Sequence, residues 1–453
     1  MKLFFSSVFS GSDWLDNVLM EIDENGMIKS LISNSEKSEA DKILSGTCVP
    51  GMPNLHSHAF QRAMAGLTEI AGSGQTNFWT WQKVMYQFLA KLSPEDVEAI
   101  ASQLYMEMLR GGFTSVAEFH YLHNDINGNY FKNPTEMSDQ IFAAANTTGI
   151  SLTHLPVLYA YGGFDCLKPE DGQKRFLNTI DQFQLLLETL ESKYRNNKLT
   201  KIGVALHSLR AVSPEMITDA AAFAPEGPIH IHIAEQTKEV EQCMAWSGQR
   251  PVEWLLNNAD VNERWSLIHA THMNEAEIGT FAYTGAIAGL CPTTEANLGD
   301  GLFPLEDFLN QKGRIGVGSD SNTSVDLTEE LRLLEYGQRL NQRRRNIGAS
   351  GEGTSTGENL FKKSLLGGAQ ALSQSVGILE PGYRADFILL DDKHPTLFSR
   401  TENFILDAWI FSCGRDAISD VFVGGNHLVK NGRHIRQESI EKRYRSTIKS
   451  LLN

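Results

Sequence analysis

Pro50-Gly51-Met52-Pro53-Asn54-Leu55-His56-Ser57-His58 reads as a short apolar strand that ends in a His-x-His pair. Residues two apart on a strand share a face, so His56 and His58 present two imidazoles to one point in space. Two neutral imidazoles converging there suit a metal ion. Standing alone, the pair equally suits two histidines on a solvated strand face, and the rest of the chain decides between these readings.

From about residue 50 to 375, short apolar strands alternate with longer amphipathic stretches. Eight strand candidates run 48–55, 114–119, 150–158, 201–206, 228–234, 265–268, 286–290 and 314–318. Between them, Pro94 to Arg110 and Pro134 to Thr148 carry helical periodicity, with Gly111-Gly112 closing the first. Eight β-then-α units predict an α/β fold, a (β/α)8 TIM barrel, with a doubly wound sheet as the alternative. Residues 1–49 hold short alternating segments separated by turns such as Asp23-Glu24-Asn25-Gly26. Short strands return after 375, at Ala385 to Leu390, Ala408 to Phe411 and Ile418 to Gly425. The two ends are expected to pair into one small β domain, so that 1–49 and 376–453, the latter with a terminal helix, flank a barrel of 50–375.

Composition narrows the function classes. With 453 residues, 41% hydrophobic and 21% charged, the chain has the make-up of a globular protein with a sizeable core. No apolar run reaches the length of a membrane span. The apolar start Met1 to Phe9 is short and broken by Ser6 and Ser7, and Asn17 to Asp23 reads as its hairpin partner, so a folded start and a cytoplasmic protein are expected. Five cysteines with no Cys-x-x-Cys pair fit reduced, mostly buried thiols. A formal charge of -15 opposes nucleic acid and anionic membranes as partners. An anionic small molecule would need arginines placed locally against that field. The basic run Arg343-Arg344-Arg345 falls late in a helical stretch and reads as a solvated helix face.

In a barrel the carboxyl ends of all strands open onto one face, and here four of those ends carry histidine or aspartate. They are His56 with His58, His230-Ile231-His232-Ile233-Ala234-Glu235, His269-Ala270-Thr271-His272, and Gly318-Ser319-Asp320-Ser321. That is the ligand inventory of a mononuclear metal site. His230 and His232 share a face, and His232 lies nearer the mouth. Glu235 can join the site only if the strand stops near Ala234 and the chain turns; there its carboxylate would sit beside a metal-bound water, suited to carrying protons. His272 reads as a structural hydrogen-bonding residue.

Together, the first phrase, His232 with Glu235, His269, Asp320 and the C-terminal Gly377-Ile378-Leu379-Glu380-Pro381-Gly382-Tyr383-Arg384-Ala385-Asp386 resemble the amidohydrolase superfamily. More narrowly, Asn54 to Glu69, Phe78-Trp79-Thr80-Trp81, Ala117 to His123 and His207 to Val212 resemble its formimidoylglutamate deiminase family. The resemblance implies one divalent metal, usually zinc, held by His56, His58, His232 and Asp320, with Asp320 making a long or water-shared contact. It implies that Asp320 and His269 take a proton from the attacking water and that Glu235 protonates the leaving nitrogen. Substrate contacts would be Gln61, Tyr121, His207 and Arg210, the arginine gripping a carboxylate bidentately. The expected reaction is deimination of N-formimidoyl-L-glutamate, a small anionic amino-acid derivative, in histidine degradation, by a homodimer.

One position departs from that pattern. The family has an arginine after the second tryptophan of Phe-Trp-Thr-Trp; here Gln82 stands there, followed by Lys83, which is expected to replace the charge in part. The departure implies weaker binding or a different preferred substrate. The neighbouring aromatics Phe78, Trp79, Trp81, Tyr86 and Phe88 suit a lid, a subunit contact or plain core packing. Two other readings compete: deamination of another amidine, guanidine or aminated heterocycle on the same metal machinery, and a catalytically silent metal-binding paralogue. The charged pair His207 and Arg210 opposes a neutral nucleobase, and the presence of Glu235 opposes a silent copy.

Overall fold

Gly51 divides two strands that the sequence runs together. The computed structural model describes residues 1–71 and 78–452, apart from the side chains of Phe78 and Trp79, which with 72–77 lie outside the described residues. Lys42–Pro50 belongs to one sheet and Met52–Ser57 to another, so the expected single strand 48–55 is two. The chain crosses between sheets at Gly51, where an added Cβ would lie 2.2 Å from the Thr114 side chain.

Among the described residues, eight parallel strands form the barrel: β1 (Met52–Ser57), β2 (Phe113–His120), β3 (Ser151–Leu158), β4 (Val204–Ser208), β5 (Ile229–Ile233), β6 (Trp265–His269), β7 (Ile287–Leu290) and β8 (Arg314–Val317). Each pairs in parallel with its sequence neighbour, and a short strand Thr200–Ile202 pairs with β3 just ahead of β4. A parallel bridge between Ser57 and Asp320 joins the last strand to the first, so the expected closed barrel is observed and the doubly wound sheet is not. The helices between strands are set by local signals. Pro94–Arg110 starts at Ser93, whose hydroxyl accepts from the Asp96 N–H, and ends at Gly111. Glu136–Thr148 stops at Gly149, which is left-handed at φ 81°.

The second sheet is built from both chain ends, as expected. Its strand order is Arg433–His434, Asn426–Lys430, Ile418–Val423, Phe387–Leu390, Lys42–Pro50, Lys2–Phe9, Trp14–Ile22 and Ile28–Ile32. Alternate residues Leu3, Phe5, Val18, Met20, Phe387, Leu389 and Phe422 bury one face in a separate core. The strand expected at Ala408 to Phe411 is instead helical: Asn403–Ala408 continues into a π-helical turn, Trp409–Cys413. Ile405, Leu406, Trp409 and Ile410 are buried at a helical, not alternating, spacing, and Trp409 packs edge-on against Phe361 at 5.5 Å.

Helix Thr356–Leu372 covers the seam between β8 and β1 through Gly367 and Gly368. A Cβ on Gly367 would stand 1.9 Å from the Ile315 carbonyl oxygen, so helix backbone and strand backbone touch there. Gly367→Ala is therefore expected to lower unfolding free energy by about 1–3 kcal/mol through overpacking. Gly279→Ala, within helix Glu275–Tyr283 and with nothing within 4 Å of its added Cβ, should raise it by about 0.4–1 kcal/mol. Urea denaturation of the two variants measures both signs.

Candidate active site

The histidine- and aspartate-bearing strand ends meet at the barrel mouth because three of them leave the sheet abruptly. Ala234, His269, Ala270 and Asp320 have φ of 51°, 71°, 46° and 45°, a left-handed region that costs a non-glycine residue about 1–2 kcal/mol. At Ala234 this turn swings Glu235 into the cavity. Glu239, in the first turn of helix Thr237–Ser247, holds the turn by accepting from the N–H groups of Ala234 and Glu235, both at 3.2 Å.

His56, His58, His232 and Asp320 converge. His56 Nε2 lies 3.0 Å from His232 Nε2 and 3.2 Å from His58 Nε2; Asp320 Oδ1 lies 3.4 Å from His56 Nε2 and 3.2 Å from His58 Nε2. The Nδ1–H of His58 donates to the Phe119 carbonyl and that of His232 to the His207 carbonyl, each at 2.9 Å. These bonds assign both rings the tautomer with a bare Nε2. Bare nitrogens aimed at one another repel unless a cation lies between them. The spacing also matches the ligand–ligand edge of about 3.3 Å in a tetrahedron with metal bonds of about 2.0–2.1 Å. Burial lowers His56 to about 3, and burial with the neighbouring histidines holds His232 well below its usual range, so both keep the lone pair a metal needs. The four residues thus fit a single divalent ion.

Beside the cluster, His269 Nε2 is 3.7 Å from Asp320 Oδ2 and 3.9 Å from Glu235 Oε1. Burial opposes a charged His269, but Glu235, Glu295 and Asp320 outweigh it and lift the imidazole to about 10. Burial raises Glu235 to about 7, against the pull of His269. Burial also opposes a charged Asp320, yet hydrogen bonds with His56 and His58 hold it well below the carboxylate range.

His58, His232, Glu235, His269 and Asp320 line a cavity together with Gln61, Tyr121, His207 and Arg210. Gln61 Nε2 donates to the Tyr121 hydroxyl at 2.8 Å. Burial and the Arg210 charge hold His207 well below its usual range. Arg210 is the only lysine or arginine among the described lining residues. Helix Phe78–Leu89 forms one wall, giving Trp81, Gln82, Met85 and Tyr86 to the cavity and burying Phe88 and Leu89 in the core. Lys83 is exposed and does not line the cavity, which overturns the expectation that it replaces charge near Gln82; on this helix it points away from its neighbours that do. The side chains of Phe78 and Trp79 lie outside the described residues. His230 turns to the barrel floor and bonds the Ala371 carbonyl at 2.8 Å, while His272 bonds the Asp300 carbonyl at 2.9 Å, so neither joins the cluster.

Several contributors went unassigned in the sequence. Asn54 Oδ1 accepts from the N–H of Ser319 at 3.1 Å and its Nδ2 donates to Ser319 Oγ at 2.7 Å; Ser319 Oγ in turn donates to Asn322 Oδ1 at 2.6 Å. Asn322 Nδ2 donates to the carbonyls of His58 and Asp320 at 3.1 and 2.7 Å. Glu118 accepts from Ala59 N–H at 2.6 Å and from the Tyr105 hydroxyl at 3.0 Å, steadying the residue after His58. Glu295 accepts from His269 Nδ1–H at 3.2 Å. Buried Arg175 donates to the Leu89 and Asn124 carbonyls, tying the cavity-wall helix to the loop after β2. Only Asn54 carried a usable signal, since it lies two residues before His56 and so shares its strand face.

Residues 47–428 match the sequence profile of the amidohydrolase family. The chain is 47% identical over 441 residues to formimidoylglutamate deiminase of Pseudomonas aeruginosa, covering 97% of each chain. It is 26% identical over 394 residues to a 5-methylthioadenosine/S-adenosylhomocysteine deaminase of Thermodesulfovibrio yellowstonii, covering 85% of this chain and 81% of that one. Among solved structures, an amidohydrolase from Brucella melitensis superposes with a TM-score of 0.95 at 44% identity, covering the whole of both chains.

Metal binding at the four-donor cluster has a stability consequence. Zinc present at a thousandfold its dissociation constant is expected to raise unfolding free energy by about 4 kcal/mol, seen as a rise in Tm by calorimetry. His232→Ala should remove most of that rise; an undiminished rise in the variant would place the ion elsewhere.

Proposed function

The chain belongs to the amidohydrolase family, and we propose that it hydrolyses the formimino group of N-formimidoyl-L-glutamate, releasing ammonia and leaving N-formyl-L-glutamate. The observation that carries this reading is the 47% identity, over 97% of both chains, to a formimidoylglutamate deiminase. The cavity supplies matching chemistry.

His56, His58, His232 and Asp320 would hold one divalent ion, zinc by donor type. Bound there, it would polarise a water and lower its pKa towards neutrality. Asp320, through its second oxygen, accepts the water's proton, while His269 beside it, held protonated by the surrounding carboxylates, donates to the water oxygen through Nε2–H and orients it. The water oxygen bonds to the formimino carbon as the carbon–nitrogen double bond opens and Glu235 protonates the terminal nitrogen. Glu235 then carries the remaining hydroxyl proton to the same nitrogen as the carbon–nitrogen bond breaks, so that ammonia departs, the carbonyl forms, and the proton held by Asp320 restores Glu235. Burial favours the protonated Glu235 that this step requires near neutral pH. Arg210 pairs with a substrate carboxylate, His207 presents a neutral imidazole beside it, and Gln61 with Tyr121 offers polar groups from the opposite wall. Gln82 offers an amide on the helix wall. The aromatic and buried surroundings exclude bulk water and strengthen each of these interactions.

The same reading places the enzyme in histidine degradation as a cytoplasmic homodimer acting on small anionic substrates, with neither nucleic acid nor membrane as partner. Its net charge of -15 and its cysteine usage support this; no helix among the described residues is long and apolar enough to cross a membrane.

Purified, metal-analysed protein offered N-formimidoyl-L-glutamate should release ammonia, and N-formyl-L-glutamate should be the co-product by mass spectrometry. Glu235→Gln should lower kcat by about 10²–10⁴ while metal content stays the same. Full activity in that variant would remove Glu235 from proton delivery. No ammonia from the wild type loaded with metal would remove the substrate assignment.

A further inference from the structure

We propose that Glu295 is the positioning residue for His269, fixing the ring so that its Nε2 faces the reacting water. The inference rests on the reaction proposed above. Glu295 is at the fourth position of the short helix Pro292–Leu298, which follows β7. It is 5% exposed, and its Oε1 accepts two hydrogen bonds, from the backbone N–H of Cys291 at 2.9 Å and from His269 Nδ1–H at 3.2 Å.

His269 needs such an anchor. It is the last residue of β6, and both it and Ala270 are left-handed, so the regular strand geometry that would otherwise dictate the side-chain direction ends there. The ring has two nitrogens on opposite sides. With Nδ1–H held by Glu295, Nε2 is left 3.7 Å from Asp320 Oδ2 and 3.9 Å from Glu235 Oε1, between the groups assigned to take up and deliver the proton. A half-turn of the ring would replace that nitrogen by carbon and remove the path.

Glu295 can hold this position because its helix is itself fastened. The buried Glu330 accepts from the Thr293 N–H at 3.0 Å and from its hydroxyl at 2.5 Å. Thr294 Oγ1 accepts from the Ser321 N–H at 3.2 Å, just past Asp320. The helix thus links the His269 anchor to the strand end that bears Asp320.

His269, Cys291 and Glu295 are also close enough to be considered as metal ligands. The hydrogen bonds favour the positioning role. Glu295 Oε1 already faces two N–H donors, and metal binding at His269 Nδ1 would require that nitrogen to lose its proton.

The test is a double-mutant cycle read by steady-state kinetics, metal analysis and ¹⁵N NMR of histidine-labelled protein, with His269→Ala identifying the His269 signals. Glu295→Ala is expected to lower kcat about 100-fold, with KM changed less than about threefold and metal content unchanged. Glu295→Gln, which keeps an acceptor oxygen, should lose about tenfold and guard against misfolding of the alanine variant. In the His269→Ala background, Glu295→Ala should cost less than about twofold more, because its effect passes through the ring. Additive losses would overturn the proposal, as would an unchanged kcat in Glu295→Ala. So would a second metal ion per chain that disappears in Glu295→Gln. If the wild type fails on N-formimidoyl-L-glutamate yet the His269 Nδ1–H signal depends on Glu295, the substrate reading falls and the anchoring stands.

Discussion

The barrel is closed by the backbone of residues whose side chains belong to the four-donor cluster. Asp320 N–H donates to the His56 carbonyl and His58 N–H donates to the Asp320 carbonyl, both at 3.0 Å. These two bonds join β8 to β1, and the side chains of the same three residues supply three of the four donors. Closing the sheet and assembling the cluster are therefore one event. The seam tolerates little extra bulk, since a Cβ on Gly318 would lie 2.8 Å from the His56 backbone. Asn54, Ser319 and Asn322, all buried, satisfy the polar groups that the seam leaves unpaired by regular ladder bonds. A fully bonded buried network of this kind holds backbone and side chains in one arrangement.

Burial then sets the protonation states. His56 and His232 are kept neutral by desolvation and by neighbouring histidines, which preserves lone pairs. The two carboxyl groups facing His269 Nε2 are pushed in opposite directions: Asp320 down by its hydrogen bonds with His56 and His58, Glu235 up by burial, which outweighs the pull of His269. Two carboxyls separated in this way suit opposite roles, one accepting and the other delivering protons. A divalent cation would add to the field that holds Asp320 ionised.

What could be read from the sequence was whatever has a local period. His56 and His58, or His232 at the end of an apolar run, announce a strand face and its mouth end, and the eight-fold alternation announces the barrel. Glu235 was legible only as a condition, because alanine gives no sign that Ala234 will be left-handed. The run at Ala408 to Phe411 was misread since four apolar residues fit strand or helix alike; the helical spacing emerges only when Ile405 and Leu406 are included. Lys83 was misassigned for want of the helix's orientation. Asn322, Glu118 and Glu295 act across strands, on residues between 26 and 264 positions away, and no local pattern encodes such pairings.

The small sheet bears on the site through the strand it shares a chain with. Lys42–Pro50 pairs on one side with Lys2–Phe9 and on the other with Phe387–Leu390, so β1 begins from a strand clamped on both edges. At the crossing, Gly51 N–H donates to the Asp386 carbonyl at 3.0 Å, and Asp386 carries a buried bidentate pair with Arg384 at 2.9 and 2.6 Å. Arg384 also donates to Gln374 at 2.7 Å, and Gln374 donates to Thr153 of β3 at 2.8 Å. The C-terminal phrase is thus a bolt joining the small sheet to the barrel floor at the root of β1. A strand fixed at its root and bonded to β8 at its tip leaves His56 and His58 little freedom between. That restraint accounts for a domain without cavity residues being built from both ends of the chain: it holds the first strand in register against the last.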